Sequence, residues 1–322
     1  MAIDIRRYSD DDKRVWDRFV WKANNGTLFH TRRFLSYHPP DRFEDHSLIF
    51  GDGNRILAVF PAAMRRIEGR RTLASHCGSS YGGIVYPEAT SIRAAFELVE
   101  ALLAYGRREG VDRIEMTLPP VIYLQRPSHY LDFALYKNGF EYKKREISSV
   151  IPLDFSVEDI LNQFKAEART AYRKSMNMGV EIRETDDIQS FYPILKKNLE
   201  MRHNVSPTHT LEELLKLKQL FPEQILQFSA FLNGKTIAGV TNFLCNDRVV
   251  LAFYISHDQA YQKYRPVNFL FYEIIKWCIE HRYRFLDYGI FTVNEEPNWG
   301  LGKFKESFGA RGIFRDTYIK RL

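Results

Sequence analysis

The stretch ILQFSAFLNGKTIAGVTNFL, residues 225–244, reads as two apolar strands around a two-residue turn at Asn233-Gly234. Asn-Gly is a strong hairpin signal because both central residues can take positive φ. The first half of the chain holds an echo. SLIFGDGNRILAVFPAAM, residues 47–64, sets two apolar runs around Asp52-Gly53. A pattern that occurs twice argues for one unit repeated rather than for one large sheet.

The echo extends outward from the hairpins. SIRAAFELVEALLAYGRRE, residues 91–109, places Ile92, Ala95, Phe96, Val99, Leu102 and Leu103 on one helical face, and Gly110 closes it. NFLFYEIIKWCIEH, residues 268–281, is apolar almost all round, with Glu273, Lys276 and Glu280 as a narrow polar edge. That composition predicts a more deeply buried helix. Each helix feeds a short strand, Arg113–Leu118 or Arg284–Ile290. Each strand precedes a last helix-and-strand unit, LYKNGFEYKKREISSVIPL (135–153) or FKESFGARGIFRDTYIKRL (304–322), with Phe140 and Phe308 at matching places.

The fold class expected is therefore α/β (α+β), with two domains, 1–152 and 153–322. Each is a mixed, mostly antiparallel sheet flanked by helices. A length of 322 residues favours two domains independently. Ser156-Val157-Glu158-Asp159 is a capping-box pattern that opens the second domain with a helix over 158–177. Its apolar stripe is Leu161, Phe164, Ala168, Tyr172 and Met176. Opposite lie Lys165, Arg169 and Arg173, one turn apart, as a solvated face or an anion-binding one.

Hydrophobic residues make up 45% and charged residues 27%, the balance of an ordinary globular protein. No apolar run is long enough to span a bilayer, and MAIDIRRYSDDDK lacks the apolar core of a signal peptide, so a cytoplasmic location is expected. Cys77, Cys245 and Cys278 are too few and too scattered for a disulfide framework or a zinc site. With no H-E-x-x-H or C-x-x-C, no metal is expected. The formal net charge of +6 suits an anionic partner: a nucleotide, a phosphorylated substrate, RNA or an anionic membrane surface. A merely basic surface accounts for the same charge.

The duplicated order resembles the tandem N-acyltransferase fold of the GNAT superfamily, and more narrowly the Fem family of peptidoglycan-bridge aminoacyltransferases with its FemAB-like relatives. The resemblance covers nearly the whole chain. It is carried by SSYGG (79–83), ARTAYRKSMNMGVEI (168–182), FYISHDQAYQKYRPVNFLFYEIIKWCIEHRYRFLDYG (253–289) and LGKFKESFGA (301–310). It implies a chemistry in which an amine attacks an activated acyl group held as a thioester or a tRNA ester. The second domain would hold the donor and a shared cleft the acceptor. The protein must then orient the two, accept a proton and stabilise an oxyanion.

The donor turns on one loop. Acyl-CoA-dependent members carry Q/R-x-x-G-x-G/A before a helix whose N-terminus meets the pyrophosphate. The matching segment here is Gln262-Lys263-Tyr264-Arg265-Pro266-Val267, with the Gln kept and both glycines replaced. Arg265 and Pro266 would crowd a close backbone approach, although Lys263 and Arg265 could bind phosphate through their side chains. The resemblance thus implies an aminoacyl-tRNA donor, aided by Arg169 and Arg173, with acyl-CoA as the alternative and no tightly bound cofactor.

The resemblance also implies site residues. Phe304 and Lys305 match the Phe-Lys that lines the family's cleft, and Lys305 would stabilise an oxyanion or a terminal phosphate. Tyr254, at the end of RVVLAFYI, matches a cleft tyrosine. Asp287 in RFLDYGI is a candidate proton acceptor or a structural cap. Arg202, in Met201-Arg202-His203, resembles an acceptor-side arginine, and Ser80 and Tyr81 form a turn at the acceptor edge.

Two rival motifs do not hold. GLGKFKESFGA (300–310) does not meet G-x-x-x-x-G-K-[ST], and Gly78-Ser79-Ser80-Tyr81-Gly82 matches G-x-S-x-G but is followed by GIVYP instead of a helix. The function expected is an amine-directed acyltransferase acting on an acceptor such as a cell-envelope precursor, with peripheral membrane contact in its range. The alternatives are an acyl-CoA N-acetyltransferase of an amino sugar or peptide, and a silent module binding RNA or a nucleotide-sugar.

Overall fold

The structure, a computed structural model, describes residues 3–53, 55–203 and 205–322, without the side chains of 202 and 203. The chain divides into two compact units, Met1–Glu146 with Phe314–Leu322, and Ile147–Ile313. The sequence reading set its boundary after residue 152 and gave the first domain no C-terminal segment.

The first unit runs β1 (Asp4–Arg7), α1 (Lys13–Lys22), α2 (Arg32–Leu35), β2 (Glu44–Asp45), β3 (Leu48–Asp52), β4 (Arg55–Phe60), β5 (Ala63–Ile67), β6 (Arg70–Ser75), α3 (Ile92–Arg108), β7 (Arg113–Thr117), α4 (Tyr130–Lys137) and the start of β8 (Glu141–Pro152). The second continues with α5 (Ile160–Gln163), α6 (Ala166–Asn177), β9 (Glu181–Thr185), α7 (Ile188–His203), α8 (Leu211–Leu220), β10 (Ile225–Leu232), β11 (Lys235–Leu244) and β12 (Val249–His257). After these come α9 (Pro266–Glu280), β13 (Phe285–Ile290), β14 (Thr292–Val293), β15 (Glu296–Pro297), α10 (Trp299–Glu306) and β16 (Arg311–Arg321).

The repeat is plain in the strand order. In the second unit β9, β10, β11 and β12 are successive antiparallel neighbours, α9 crosses over, and β13 returns parallel to β12. In the first unit the β3–β4 hairpin leads to the antiparallel pair β5–β6, α3 crosses over, and β7 returns parallel to β6. The first strand of each hairpin pairs with a preceding strand, β1 or β9, but two strands, β5 and β6, separate the first hairpin from its crossover helix where β12 alone separates the second. The copies also differ in how the sheet continues. Pro61, between β4 and β5, cannot donate to a ladder, so β4 stays with β1 and β3 while β5 pairs with β6.

The Asn233-Gly234 turn takes φ of 51° and 77° between the paired Leu232 and Lys235, as a two-residue hairpin loop requires. Its counterpart sits one residue later than the sequence suggested. Asp52 still pairs with Arg55 after a register shift at Phe50/Gly51, so the loop begins at Gly53.

The helix expected over 158–177 is also corrected. It divides into a short turn, α5 and α6, because Phe164 and Lys165 take extended ψ of 140° and 159°. Phe164 thereby packs edge-on against Phe308 at 5.0 Å. Burying both rings outweighs the continuity of a helix end. The core of the second unit gathers α9 (Leu270, Phe271, Ile274, Ile275, Cys278) against β10–β13, as the apolar sequence of α9 requires. Cys245 and Cys278 are both fully buried core thiols. Among the described residues no cluster of His, Cys, Asp and Glu could hold a metal, and no helix is long and apolar enough to cross a membrane.

Candidate active site

The site begins with a failure of pairing. β12 and β13 pair only at Val249↔Phe285, Val250↔Leu286 and Leu251↔Asp287. Just beyond, the β11–β12 register slips: Thr241 faces Tyr254 while Asn242 faces Ala252, so Phe253 is an extra residue. Such a bulge bends its strand and re-aims side chains. The two parallel strands run on without pairing to each other.

A cavity of about 570 Å³ is lined by the far end of β12 (Ile255, Ser256, His257), the first turn of α9, and α10. The N-terminal amides of α9 carry partial positive charge toward this space, and the side chain of the N-cap residue, Arg265, makes no capping hydrogen bond to them.

Lys305 lines this cavity. It is 4% exposed, and its Nζ donates to the carbonyls of Gly289 and Ile290, both at 2.8 Å. Burial lowers its ammonium from the ordinary lysine value to about 8, while the charge of Asp287 works the other way. Phe304 lines the cavity beside it. GLGKFKESFGA is thus mostly helix α10, capped by Asn298, whose Oδ1 accepts the N–H of Leu301 at 3.0 Å.

Asp287 is not among the lining residues. It is fully buried in β13, where it accepts the hydroxyl of Ser148 and the N–H of Gly289. Tyr254 is also withdrawn. Its hydroxyl accepts the backbone N–H of His209 at 3.0 Å and meets His209 Nδ1 at 2.8 Å, and burial pushes the phenol well up.

The basic residues separate. Arg265 lines the cavity in a left-handed conformation, φ 55°, and Pro266 follows as the first residue of α9. Pro is suited to that position, whose N–H is unused in any helix. A left-handed backbone is one that glycine takes more readily than arginine does. Lys263 lies off the cavity with its ammonium 5.2 Å from the Tyr264 ring. Arg169 donates to the carbonyl of Phe164 at 2.7 Å, closing the break between α5 and α6. Arg173 is exposed on α6 and lines no cavity described here. The side chain of Arg202 lies outside the described residues.

Ser80 and Tyr81 belong to the first unit. The Ser80 carbonyl accepts Arg315 Nη2 at 2.7 Å, and Tyr81 is buried with its hydroxyl on that of Tyr123 at 3.2 Å. No helix follows before Ile92, so the hydrolase-elbow geometry is absent from this stretch.

Five polar lining residues escaped the sequence reading: Asn198, Ser256, His257, Asn268 and Asn298. Asn198, on α7, donates to Ser256 Oγ at 2.7 Å and to the His257 carbonyl at 2.8 Å, and accepts Gln259 Nε2 at 3.1 Å. No local pattern marks Asn198 or Asn268. Asn298 carried a legible signal, an N-cap residue just before a helix.

Residues 162–305, which include the splayed strands and α10, match the family model described as an acetyltransferase (GNAT) domain. The second unit carries a GNAT acyltransferase domain. No curated protein matches the chain in sequence. Among solved structures, FemX is similar at a TM-score of 0.75, 12% identity, with 99% of this chain and 97% of that one covered. L-PGS from Bacillus licheniformis gives 0.61 at 10%, covering 97% and 92%. A tandem GNAT protein from the clavulanic acid biosynthesis pathway gives 0.57 at 11%, covering 99% and 98%. At these identities the likeness shows the fold: a tandem GNAT architecture to which the GNAT domain described above contributes the cavity.

Proposed function

We propose that the chain is an N-acyltransferase that moves an aminoacyl group from a charged tRNA to an amine on an anionic acceptor of the peptidoglycan-precursor type. The observation that carries the choice of donor is Arg265, a side chain at the left-handed position where CoA-dependent members place glycine, followed by a residue without an N–H. Both features remove backbone from the reach of a pyrophosphate. FemX and L-PGS, the relatives compared above, supply the fold on which this reading rests. A tRNA donor agrees with a cytoplasmic site of action.

In this reading the amine nitrogen attacks the ester carbonyl, the C–N bond forms, and the C–O bond to the ribose breaks. The proton lost by nitrogen ends on the ribose oxygen. Lys305 has three N–H donors, of which two hold the end of β13. The third serves the developing oxyanion. With its value near 8, Lys305 is still mostly charged at pH 7, and Asp287 favours that charge. Asp287 acts here through Lys305 and the β13 turn, not on the amine. An acyl-CoA donor is the second reading, favoured by the N-terminus of α9 beside the cavity, which the Arg265 side chain does not cap.

Thermal shift with each donor separates the two. Charged tRNA at about 100 Kd should raise stability by about 2.7 kcal/mol. Acetyl-CoA at millimolar concentration should shift the midpoint little. Micromolar acetyl-CoA affinity would reverse the choice of donor.

Arg265→Gly extends the same test. It should relieve the left-handed strain, with a net gain of roughly 0.5 kcal/mol after the entropy of glycine. It should also strengthen acetyl-CoA binding. Unchanged acetyl-CoA affinity in Arg265→Gly would show that the side chain is not what obstructs the pyrophosphate.

A further inference from the structure

Helix α1 has one face in the core and one in solvent. On the inner face Trp16 and Val20 are fully buried against Ile49, Val59 and Val85. The outer face carries Arg14, Arg18 and Lys22, all exposed. Residues four apart stack along a helix, so the three form one basic stripe. Trp21 flanks the stripe on one side and Val15 on the other, and they are 43% and 51% exposed.

Neither the charges nor the apolar flanks of this face serve the stability of α1. Like charges four apart repel and weaken a helix. Arg14, Arg18 and Lys22 enter no ion pair among the described residues. The nearby acids are engaged or placed elsewhere. Asp17 accepts the backbone N–H of Arg32 at 2.6 Å and that of Arg33 at 3.2 Å, and Asp12 holds Arg6 at 2.6 Å. Asp10 and Asp11 precede the helix, where its dipole favours acids. The stripe therefore calls for an anion from outside the chain.

Trp21 and Val15 select the kind of anion. An anionic bilayer presents headgroup phosphates to cations and, just beneath them, an apolar layer that takes up Trp and aliphatic side chains. RNA offers phosphates, and bases that would stack on Trp21, but Val15 has no π-face to offer a base.

We propose that the outer face of α1 docks on an anionic lipid surface, with Arg14, Arg18 and Lys22 at the headgroup phosphates and Trp21 and Val15 at the level beneath. Docking through side chains of one short helix gives peripheral, reversible contact. It needs neither an acyl donor nor an acceptor, so it stands or falls apart from the function proposed above.

The test is sedimentation of the full chain with vesicles of phosphatidylcholine containing about a third phosphatidylglycerol, against vesicles of phosphatidylcholine alone. The protein should bind the anionic vesicles, less tightly as salt is raised, and leave the neutral ones. Replacing Arg14, Arg18 and Lys22 together by Gln should weaken binding about fivefold per charge, on the order of 100-fold in all. Replacing the exposed Lys137, Arg173 and Lys303 together by Gln changes the net charge equally and should stay within about threefold of the parent. The emission of Trp21, taken as the difference between the parent and Trp21→Phe, should shift to the blue on binding.

Equal weakening by the two triple substitutions would show attraction by net charge alone and overturn the docking face. So would an emission of Trp21 that the vesicles leave unchanged. Failure to bind anionic vesicles overturns it as well. Binding of a single-stranded RNA, with the same dependence on the stripe and no vesicle binding, would give the face to nucleic acid instead.

Discussion

Lys305→Ala should lower kcat by on the order of 100-fold while leaving donor affinity within a few-fold of the parent. The expectation follows from where the charge acts. A donor aimed at an oxyanion that exists only in the transition state contributes little to the ground-state complex, and loss of one such donor typically costs on the order of 100-fold or more in rate.

Lys303→Ala is the internal control. Both residues are lysines on α10, yet Lys303 is exposed while Lys305 is 4% exposed and bound to the carbonyls of Gly289 and Ile290. Lys303→Ala should be nearly silent. Equal effects from the two substitutions would dismiss the catalytic reading. Loss of donor affinity with kcat unchanged would make Lys305 a phosphate anchor. The pH profile gives a second readout, because oxyanion stabilisation needs the ammonium. The Lys305-dependent part of the rate should decline as pH rises through about 8.

What the sequence made legible was local. The Asn233-Gly234 turn, the apolar face of 91–109 and the all-round apolarity of α9 each depend on short-range periodicity or turn chemistry, and each is present, except that Ile92, at the start of its face, is exposed. The repeat followed from comparing two such local signals. What stayed hidden was set by contacts distant in sequence.

The slip that leaves Phe253 unpaired depends on β11 opposite β12, and the loss of pairing after Leu251 depends on β13, more than thirty residues away. The stripe of Arg169 and Arg173 illustrates the same limit. A helix break at Phe164 turned Arg169 inward to a carbonyl, and the residue that faces a cavity is the adjacent Lys174. Asp287 and Tyr254 were singled out for chemical type, but their burial and partners come from Ser148 and His209, which no local spacing connects to them.

Acidification should destabilise the first unit by about 3 kcal/mol between pH 7 and pH 4 through His30 alone. His30 is fully buried. Its Nδ1 accepts the backbone N–H of Thr27 at 3.1 Å, so the ring proton sits on Nε2, which faces the carbonyl of Gly82 at 3.2 Å. The ring therefore ties the SSYGG stretch to the start of the unit in its neutral form. Burial lowers its value from the ordinary 6.5 to about 4.

The sign follows from that depression. Between 6.5 and 4 the unfolded chain binds a proton that the folded chain does not, so the contribution is complete above 6.5 and is lost as pH falls through about 4. Protonation would also set an Nδ1–H against the Thr27 N–H. Trp16, whose indole donates to the His30 carbonyl at 2.9 Å, is buried beside it and reports the transition by fluorescence. His30→Gln should be less stable than the parent at pH 7 but lose much less on acidification, because a group that titrates has been replaced by one that does not. His46 and His76, both also lowered to about 4, leave a residual slope in that variant. Parallel stability-against-pH curves for the parent and His30→Gln would show that the His30 ring does not carry the acid sensitivity assigned to it.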